Sequence, residues 1–103
     1  MTANLRVNLL ENELDIVKGI LKQYVPHCQV LAFGSRVKGT PKKHSDLDLA
    51  IISANPLNLY TLADLSEAFS DSDLNIRVDI VDFLRADKNF QDIIKNTHVV
   101  LQP

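Results

Sequence analysis

Two aspartates separated by one residue, Asp46 and Asp48, begin an otherwise apolar segment of the chain. Side chains two positions apart on a β-strand point to the same face, so these carboxylates would project together, with Cα atoms roughly 6–7 Å apart. Carboxylates that close repel each other unless a cation lies between them. Mg²⁺ suits such a pair, because proteins commonly hold it with one or two carboxylates and the phosphates of a substrate. The same pattern by itself is also typical of a solvated strand end.

A third acid, Asp79, lies inside an apolar segment and is flanked by β-branched residues, which is an unusual place for a carboxylate. If its strand lies beside the strand of Asp48, the three acids would gather into a site for two metal ions and in-line phosphoryl chemistry. The alternative is an acid on a solvated edge strand. Asp82 would point away from Asp79, so we predict a structural role for it.

Gly34 and Ser35 directly follow the short, β-prone segment 29–33 and open a predicted helical turn. A strand–glycine–helix junction exposes backbone N–H groups that suit a phosphate, and glycine lets the phosphate approach the backbone. The Ser35 hydroxyl can donate a further hydrogen bond, and Arg36 beside it could balance the phosphate charge. A plain turn with Ser35 as the helix N-cap is the competing interpretation.

Basic residues surround these candidates. The segment from Gly34 to Ser45 contains no acid and four basic residues, Arg36, Lys38, Lys42 and Lys43. They could balance a triphosphate, although a solvated basic loop explains Lys42 and Lys43 equally well. Arg77 shares a strand face with Asp79, so it could neutralise the acid cluster when metal is absent, or contact phosphate. The three histidines lack metal-ligand spacing, so zinc is not expected.

The composition restricts the class of protein. With 103 residues, 46% of them hydrophobic and 23% charged, we expect one globular domain over 1–103. The formal net charge of -2 argues against general nucleic-acid binding but not against binding one nucleotide. Cys28 is the only cysteine, which excludes an intrachain disulfide and fits a cytoplasmic protein. We find no signal peptide, and no apolar run approaches the ~20 residues of a membrane span.

Apolar periodicity predicts alternating helices and strands. The predicted helices span 9–25, 59–69 and 89–96, and the predicted strands span 29–33, 46–52, 76–83 and 98–101. In the last helix we expect Phe90, Ile93 and Ile94 to face inward. The fold class is therefore α/β (α+β), with helices packed on one sheet. The second and third strands, joined by a helix, should form a right-handed parallel crossover.

The order of these motifs resembles the DNA polymerase β-like nucleotidyltransferase superfamily. Gly-Ser-Arg-Val-Lys-Gly from position 34, followed by Ser-Asp-Leu-Asp-Leu from position 45, is similar to the minimal nucleotidyltransferase (MNT) family. The likeness extends from the first helix to the Val-Val-Leu-Gln tail. It implies a mixed β-sheet of about four strands covered by helices, as in other polymerase β-like domains.

The resemblance also implies an enzyme and its site. Asp46 and Asp48 would be ligands of Mg²⁺, in a two-metal site, and Asp79 the third carboxylate, helping to activate an acceptor hydroxyl. Gly34 and Ser35 would hold the β- and γ-phosphates of a nucleoside triphosphate, ATP above all, with Arg36 beside them. The reaction would transfer a nucleoside monophosphate to the acceptor and release pyrophosphate.

The resemblance further implies a partner. Larger relatives carry an added domain that binds the acceptor, and we expect no such domain within these 103 residues. A separate helical HEPN-type protein usually supplies that surface, in toxin–antitoxin pairs, so we expect a homo- or hetero-oligomer. The alternative function is a non-catalytic antitoxin that occludes its partner. Transfer to a small molecule is a third possibility, disfavoured because no acceptor pocket is evident in the sequence.

Overall fold

A computed structural model describes residues 6–38 and 46–103 of the chain. The helices are α1 (Glu11–Tyr24), α2 (Ser35–Lys38), α3 (Leu59–Asp71) and α4 (Lys88–Asn96), with a 3₁₀ turn at Phe83–Arg85. The strands are β1 (Gln29–Phe33), β2 (Leu47–Ile52), β3 (Val78–Asp82) and β4 (Val99–Gln102). The predicted basic loop, with Lys42, Lys43 and His44, lies outside the described residues, as does the side chain of Lys38. No helix in the described ranges is long and apolar enough to cross a membrane.

The four strands form one mixed sheet in the order β3-β2-β1-β4. β1 pairs antiparallel with both β2 and β4, whereas β2 and β3 are parallel. The parallel pairing of β2 and β3 across α3 confirms the parallel direction of the predicted crossover, and the mixed four-stranded sheet confirms the predicted fold class. Because β1 and β2 are antiparallel, β1 ends where β2 begins. Gly34 therefore lies at the same end of the sheet as Asp46 and Asp48.

Each face of the sheet has its own hydrophobic core. On one face α1 and α3 pack through Val17, Leu21 and Leu65 against strand residues such as Leu47 and Leu49, all of which are fully buried. On the other face a smaller cluster joins the 3₁₀ turn and α4 to the sheet; its buried members are Leu31, Phe33, Ala50, Phe83 and Ile94. Successive side chains along β2 lie alternately in the two cores, because side chains of a strand point to opposite faces of the sheet in turn.

Two details of the helices differ from the sequence prediction. The first helix begins at Glu11 rather than at position 9, because the Glu13 carboxylate accepts a hydrogen bond from the Leu10 N–H at 2.8 Å and fixes the helix start. In α4, Phe90 and Ile94 face the sheet as predicted. The prediction for Ile93 was wrong, since its side chain is 55% exposed. Phe90 and Ile94 lie four positions apart and share the buried stripe, and Ile93 is rotated out of it.

Asp82 has the structural role that its position indicated. It ends β3, is buried, and accepts hydrogen bonds from the backbone N–H of Leu57 at 2.9 Å and of Leu84 at 3.2 Å. Arg85 approaches the same carboxylate at 3.5 Å. The carboxylate thus ties the β2–α3 connection and the 3₁₀ turn to the far end of β3, away from the acids at the other end.

Asp82→Ala should lower the free energy of unfolding by about 2–3 kcal/mol, because it leaves a part-buried N–H of Leu57 unpaired and removes a buried charge partner. For a domain of this size the melting temperature should fall by roughly 10–20 °C. Asp71→Ala, at an exposed position of α3, is the matched control and should stay within about 0.5 kcal/mol of the wild type. Equal melting temperatures for the two variants would contradict the assigned role.

Candidate active site

The three acids singled out in the sequence meet at one end of the sheet. Asp48 and Asp79 are register partners in the parallel ladder between β2 and β3. Neighbouring strands lie about 4.8 Å apart, so the two residues stand side by side. Asp46 immediately precedes β2 and is half-buried. The condition placed on Asp79, that its strand lie beside that of Asp48, is met. Because β3 is also the edge strand of the sheet and the Asp79 side chain is 49% exposed, the edge-strand interpretation describes its position as well.

The acids project from the face of the sheet that carries α4, opposite α1 and α3. Leu47 and Leu49, on either side of Asp48, are buried in the core beneath α1 and α3. Ala50, two residues after Asp48, belongs to the core on the α4 side, and Val81, two residues after Asp79, packs against it. Since strand side chains alternate, Asp48 and Asp79 point to that same face.

Gly34 lies directly against Asp48. Its φ of +80° is the left-handed conformation that favours glycine. A Cβ added at Gly34 would overlap the Asp48 carboxylate and come within 3.3 Å of its Cγ and 3.5 Å of its Cβ. Any other residue here would need both the left-handed backbone conformation and a shift of the Asp48 side chain, so glycine is the residue that fits. The β1–β2 register explains the contact, because Phe33, the residue before Gly34, is the partner of Asp48.

Ser35 is the first residue of α2 rather than its N-cap, which corrects one of the sequence interpretations. The Val37 N–H donates to the Gly34 carbonyl at 3.0 Å, so Gly34 occupies the capping position. Because Gly34 is the capping residue, the Ser35 side chain does not have the position of an N-cap of α2. Ser35 is half-buried and lies one residue from the Gly34–Asp48 contact. Its predicted contact with phosphate stays a prediction.

Arg36 is turned away from solvent and towards the N-terminal segment. It is 8% exposed, and its guanidinium Nη1 donates to the Asn8 carbonyl at 2.9 Å. In return, the Asn8 N–H donates to the Arg36 carbonyl at 2.7 Å. These two hydrogen bonds hold α2, and with it Gly34 and Ser35, against the segment around Asn8, for which no role was predicted. Backbone contacts between positions 28 residues apart leave no signal in the sequence. A contact between Arg36 and phosphate stays a prediction.

Asp48 lies among other negative charges and is partly buried. Its pKa is raised from the usual value, first because burial disfavours the charged form, then because the carboxylates of Asp79 and Asp46 repel it. Arg77 partly offsets this repulsion: its guanidinium lies 3.8 Å from Asp79 and 4.0 Å from Asp46. The orientation agrees with the hypothesis that Arg77 neutralises the cluster in the absence of metal.

The donor set fits a divalent cation that shares its ligands with a substrate. As they stand, the described side chains form no group of three or more His, Cys, Asp or Glu around one point. Mg²⁺ rarely needs such a cage, because one or two carboxylates and substrate phosphates usually complete its octahedral shell. Asp46, Asp48 and Asp79 would supply hard oxygen ligands, and the Gly34 backbone beside Asp48 leaves room for a phosphate to approach. Burial first, and then the charges of Asp79 and Asp46, raise the pKa of Asp48 and so disfavour its ionised form when no cation is bound.

Arg77→Gln should tighten Mg²⁺ binding to the nucleotide-free protein by a few-fold, because it removes a cation that competes for Asp46 and Asp79. The Arg77 side chain is 77% exposed, so the variant should lose less than about 1 kcal/mol of stability. Isothermal titration with Mg²⁺ measures the first effect. Arg85→Gln, which leaves the acid cluster untouched, is the control for metal affinity. Weaker Mg²⁺ binding by Arg77→Gln would rule out the hypothesis that Arg77 neutralises the acid cluster in the absence of metal.

Comparison with known proteins places this arrangement in a family. The sequence profile of the family described as "Polymerase beta, Nucleotidyltransferase" matches residues 15–102. The chain is 51% identical over 102 residues to a probable protein adenylyltransferase, MntA, of Haemophilus influenzae, covering 99% of this chain and 90% of the relative.

Two solved structures are similar in fold. One is a toxin–antitoxin crystallised with AMP-PNP: it has a TM-score of 0.74 and 25% identity, over 85% of this chain and 71% of that chain. The other is a variant of the toxin–antitoxin pair MntA–HpeT, with a TM-score of 0.69 and 27% identity, over 89% of this chain and 71% of that chain.

Proposed function

Since the chain belongs to the polymerase β-type nucleotidyltransferase family, we propose that it binds ATP with Mg²⁺ at Asp46, Asp48 and Asp79 and transfers AMP to a hydroxyl of a protein partner. The observation that carries this proposal is the alignment of Asp48 with Asp79 in the β2–β3 register, with the Gly34 backbone against Asp48. Phosphates and metal ligands then have adjacent places on three neighbouring strand ends. The adenylyltransferase name of the relative and the AMP-PNP in the toxin–antitoxin structure support ATP as the nucleotide.

The proposed chemistry is an in-line displacement at phosphorus. The acceptor oxygen attacks the α-phosphorus, the bond from that phosphorus to the oxygen bridging to the β-phosphate breaks, and pyrophosphate leaves. Asp79 takes the proton of the acceptor hydroxyl. Gly34 and Ser35 hold the leaving phosphates, and the metal ions, when bound, neutralise the charge that develops on the attacking and leaving oxygens.

The order of the strands indicates the side of the sheet from which the acceptor would enter. Gly34 and Ser35 follow β1, Asp48 lies on β2 and Asp79 lies on β3, the last strand of the sheet. In-line attack requires the entering oxygen opposite the leaving pyrophosphate. With pyrophosphate at the β1 end, the acceptor enters from the side of β3, where Asp79 can receive its proton.

The proposed acceptor is a HEPN-type helical protein that the chain neutralises as an antitoxin. Support comes from the structural neighbours, which are toxin–antitoxin complexes, and from the name of the relative, which specifies a protein substrate. Several large apolar side chains of this small domain are exposed, among them Leu59, Tyr60 and Leu10, at 70%, 81% and 67%. Exposed apolar groups of this size suit an assembly with another chain.

Intact-mass spectrometry tests the function directly. The chain and a co-purified HEPN-type partner are incubated with Mg²⁺ and each of the four nucleoside triphosphates in turn. We expect an AMP adduct on the partner with ATP, and none when EDTA replaces Mg²⁺. The absence of a nucleotidyl adduct on either protein with all four triphosphates would refute the proposal.

The same pair of proteins separates catalysis from simple occlusion of the toxin. Asp46→Asn keeps the shape of the side chain but removes a charge that the metal ions need. If neutralisation is catalytic, cells expressing the toxin with this variant should stop growing, although the complex still forms. Retained neutralisation without an AMP adduct would establish the occluding antitoxin instead.

A further inference from the structure

The outer edge of β3 carries backbone groups that no strand pairs. β3 ends the sheet, and within the described residues its other side has no strand neighbour. The Leu47 N–H donates to the Arg77 carbonyl at 2.9 Å, and Leu47 is the register partner of Val78. Residues alternate in the direction of their N–H and C=O groups along a strand. Arg77 and Asp79 therefore direct these groups to β2, whereas Val78 and Ile80 direct theirs outwards.

A groove runs along this free edge. A cavity of about 710 Å³ opens between the outer edge of β3 and α3, with Leu62, Ala63, Ser66 and Phe69 on the helix side and Val78 to Ile80 on the strand side. Its helix wall is formed by small and apolar residues. Asp79, the acid nearest the open side of the sheet, is part of its lining. The Asp79 side chain points to the opposite face of the sheet, so the groove meets the edge of β3 beside the residue that would receive the proton of the proposed acceptor.

The geometry points to an extended polypeptide as the occupant. We propose that a segment of the acceptor protein pairs with the free edge of β3, with its hydroxyl-bearing residue opposite Asp79 and an apolar residue on each side of it in the groove. This inference rests on the proposed function for the chemistry, and it names the class of substrate: an extended apolar–hydroxyl–apolar sequence.

The alternation of strand side chains produces this pattern. A residue directly opposite Asp79 on an added strand points to the same face as Asp79, and its Cβ lies about 4.5–5.5 Å from that of Asp79. Its two neighbours point to the other face, where α3 packs and the groove lies. Main-chain pairing supplies affinity, and the side chains at alternate positions supply specificity. A nucleic acid fits less well, because Arg77 is the one cation among the described lining residues.

Backbone hydrogen exchange, followed by NMR without ATP, tests the docking step on its own. The probe is a heptapeptide with valine–tyrosine–valine at its centre and lysine at both ends, at about 1 mM, where weak pairing is populated. In the free protein the N–H groups of Asp79 and Val81 should be protected by β2, and those of Val78 and Ile80 should exchange quickly. The peptide should slow Val78 and Ile80 by roughly tenfold or more and leave the other two unchanged.

A transfer assay tests whether the docked segment is the acceptor. With ATP and Mg²⁺, AMP transfer to this peptide should exceed transfer to a glutamate–tyrosine–glutamate counterpart by roughly tenfold or more in kcat/KM. Ala63→Arg, which places a long side chain in the groove at an exposed helix position, should lower transfer by a similar factor while ATP still binds. Ala54→Arg makes the same change on an exposed residue past the far end of β2 and should transfer as the wild type does.

The outcomes separate this inference from the proposed function. AMP transfer at the wild-type rate by Ala63→Arg, or no slowing of exchange at Val78 and Ile80, would overturn docking at the edge and leave the nucleotidyltransferase in place. Slowed exchange with no AMP adduct on peptide or partner would support docking and refute the catalytic function. Protection of both amides in the peptide-free protein, with a dimeric mass by light scattering, would assign the edge to a second copy of the chain and overturn the inference.

Discussion

Asp48→Asn is expected to stabilise the ligand-free protein and to abolish nucleotidyl transfer. Burial and the neighbouring carboxylates of Asp79 and Asp46 raise the pKa of Asp48, so its ionised form is unfavourable in the folded state. Asparagine keeps the shape and removes the charge. We expect a gain of about 1 kcal/mol at pH 7, a modest value because Asp48 is only half-buried. The melting temperature should rise by roughly 4–8 °C.

The stability that Asp48→Asn gains over the wild type should depend on pH. Because the folded state raises the pKa of Asp48, it binds this proton more tightly than the unfolded chain does. The favourable contribution of the protonated carboxyl is complete below the ordinary pKa of 3.8 and is lost as the pH rises through the higher folded value. The advantage of Asp48→Asn over the wild type should therefore be present at pH 7 and shrink as the pH falls towards 3.8. Thermal unfolding of both proteins across this range measures it.

The same substitution should lower AMP transfer by about 10²–10³-fold or more, the loss expected when one preorganised charge is removed from the transition state. Mg²⁺ and ATP should raise the melting temperature of the wild type more than that of the variant, since at equal concentration a ligand that binds more tightly stabilises the folded state more. Asp64→Asn, at an exposed acid of α3, is the control and should change neither property. A variant less stable than the wild type at pH 7 would show that the charge at Asp48 is already compensated.

Much of the site was predictable because it depends on short-range periodicity. The alternation of apolar and acidic residues indicated that Asp46 and Asp48 share a face, and the apolar segment around Asp79 indicated a third strand. Both inferences need only the two-residue period of a strand. The parallel direction of β2 and β3 was predicted from the strand–helix–strand order, whereas the adjacency that brings Asp48 beside Asp79 was stated only as a condition.

The order of the strands and the surroundings of single side chains could not be predicted from the sequence. Placing β1 between β2 and β4 depends on pairings between distant positions, such as Leu31 with both Ala50 and Val100. Arg36 was predicted next to phosphate because it adjoins Ser35, and nothing in the sequence indicated that its guanidinium also contacts the Asn8 carbonyl. Ile93 was predicted to be buried because it is apolar, but hydrophobicity alone does not place a residue on the buried side of a helix.

Strand order also explains why the open edge of β3 could not be inferred in advance. An acid inside an apolar segment is compatible with a central or an edge strand. The sheet places β3 last, and the groove against α3 exists only because no described strand follows it. The proposed position of the acceptor thus depends on the assembled sheet, whereas the candidate acids could be identified from the sequence.

Gly34→Ala should cost both stability and nucleotide binding. The φ of +80° is unfavourable for alanine by about 1–2 kcal/mol, and the new Cβ would overlap the Asp48 carboxylate. With the strain of overpacking added, we expect a loss of roughly 2–4 kcal/mol in the free energy of unfolding. The displaced Asp48 and the blocked backbone should weaken Mg²⁺–ATP binding by at least about tenfold, a loss of about 1.4 kcal/mol. Urea unfolding and isothermal titration measure the two effects.

Gly19→Ala is the matched control, because it makes the same chemical change in the middle of α1, where an added Cβ meets no atom within 4 Å. Alanine is the better helix former, so this variant should gain about 0.5–1 kcal/mol and bind Mg²⁺–ATP as the wild type does. Opposite signs for the two glycines would assign the loss at Gly34 to its conformation and to Asp48 rather than to alanine in general. If Gly34→Ala bound the nucleotide with wild-type affinity, the close approach of the Gly34 backbone to Asp48 would have no part in holding phosphate, and the phosphates would have to be assigned to other residues of the site.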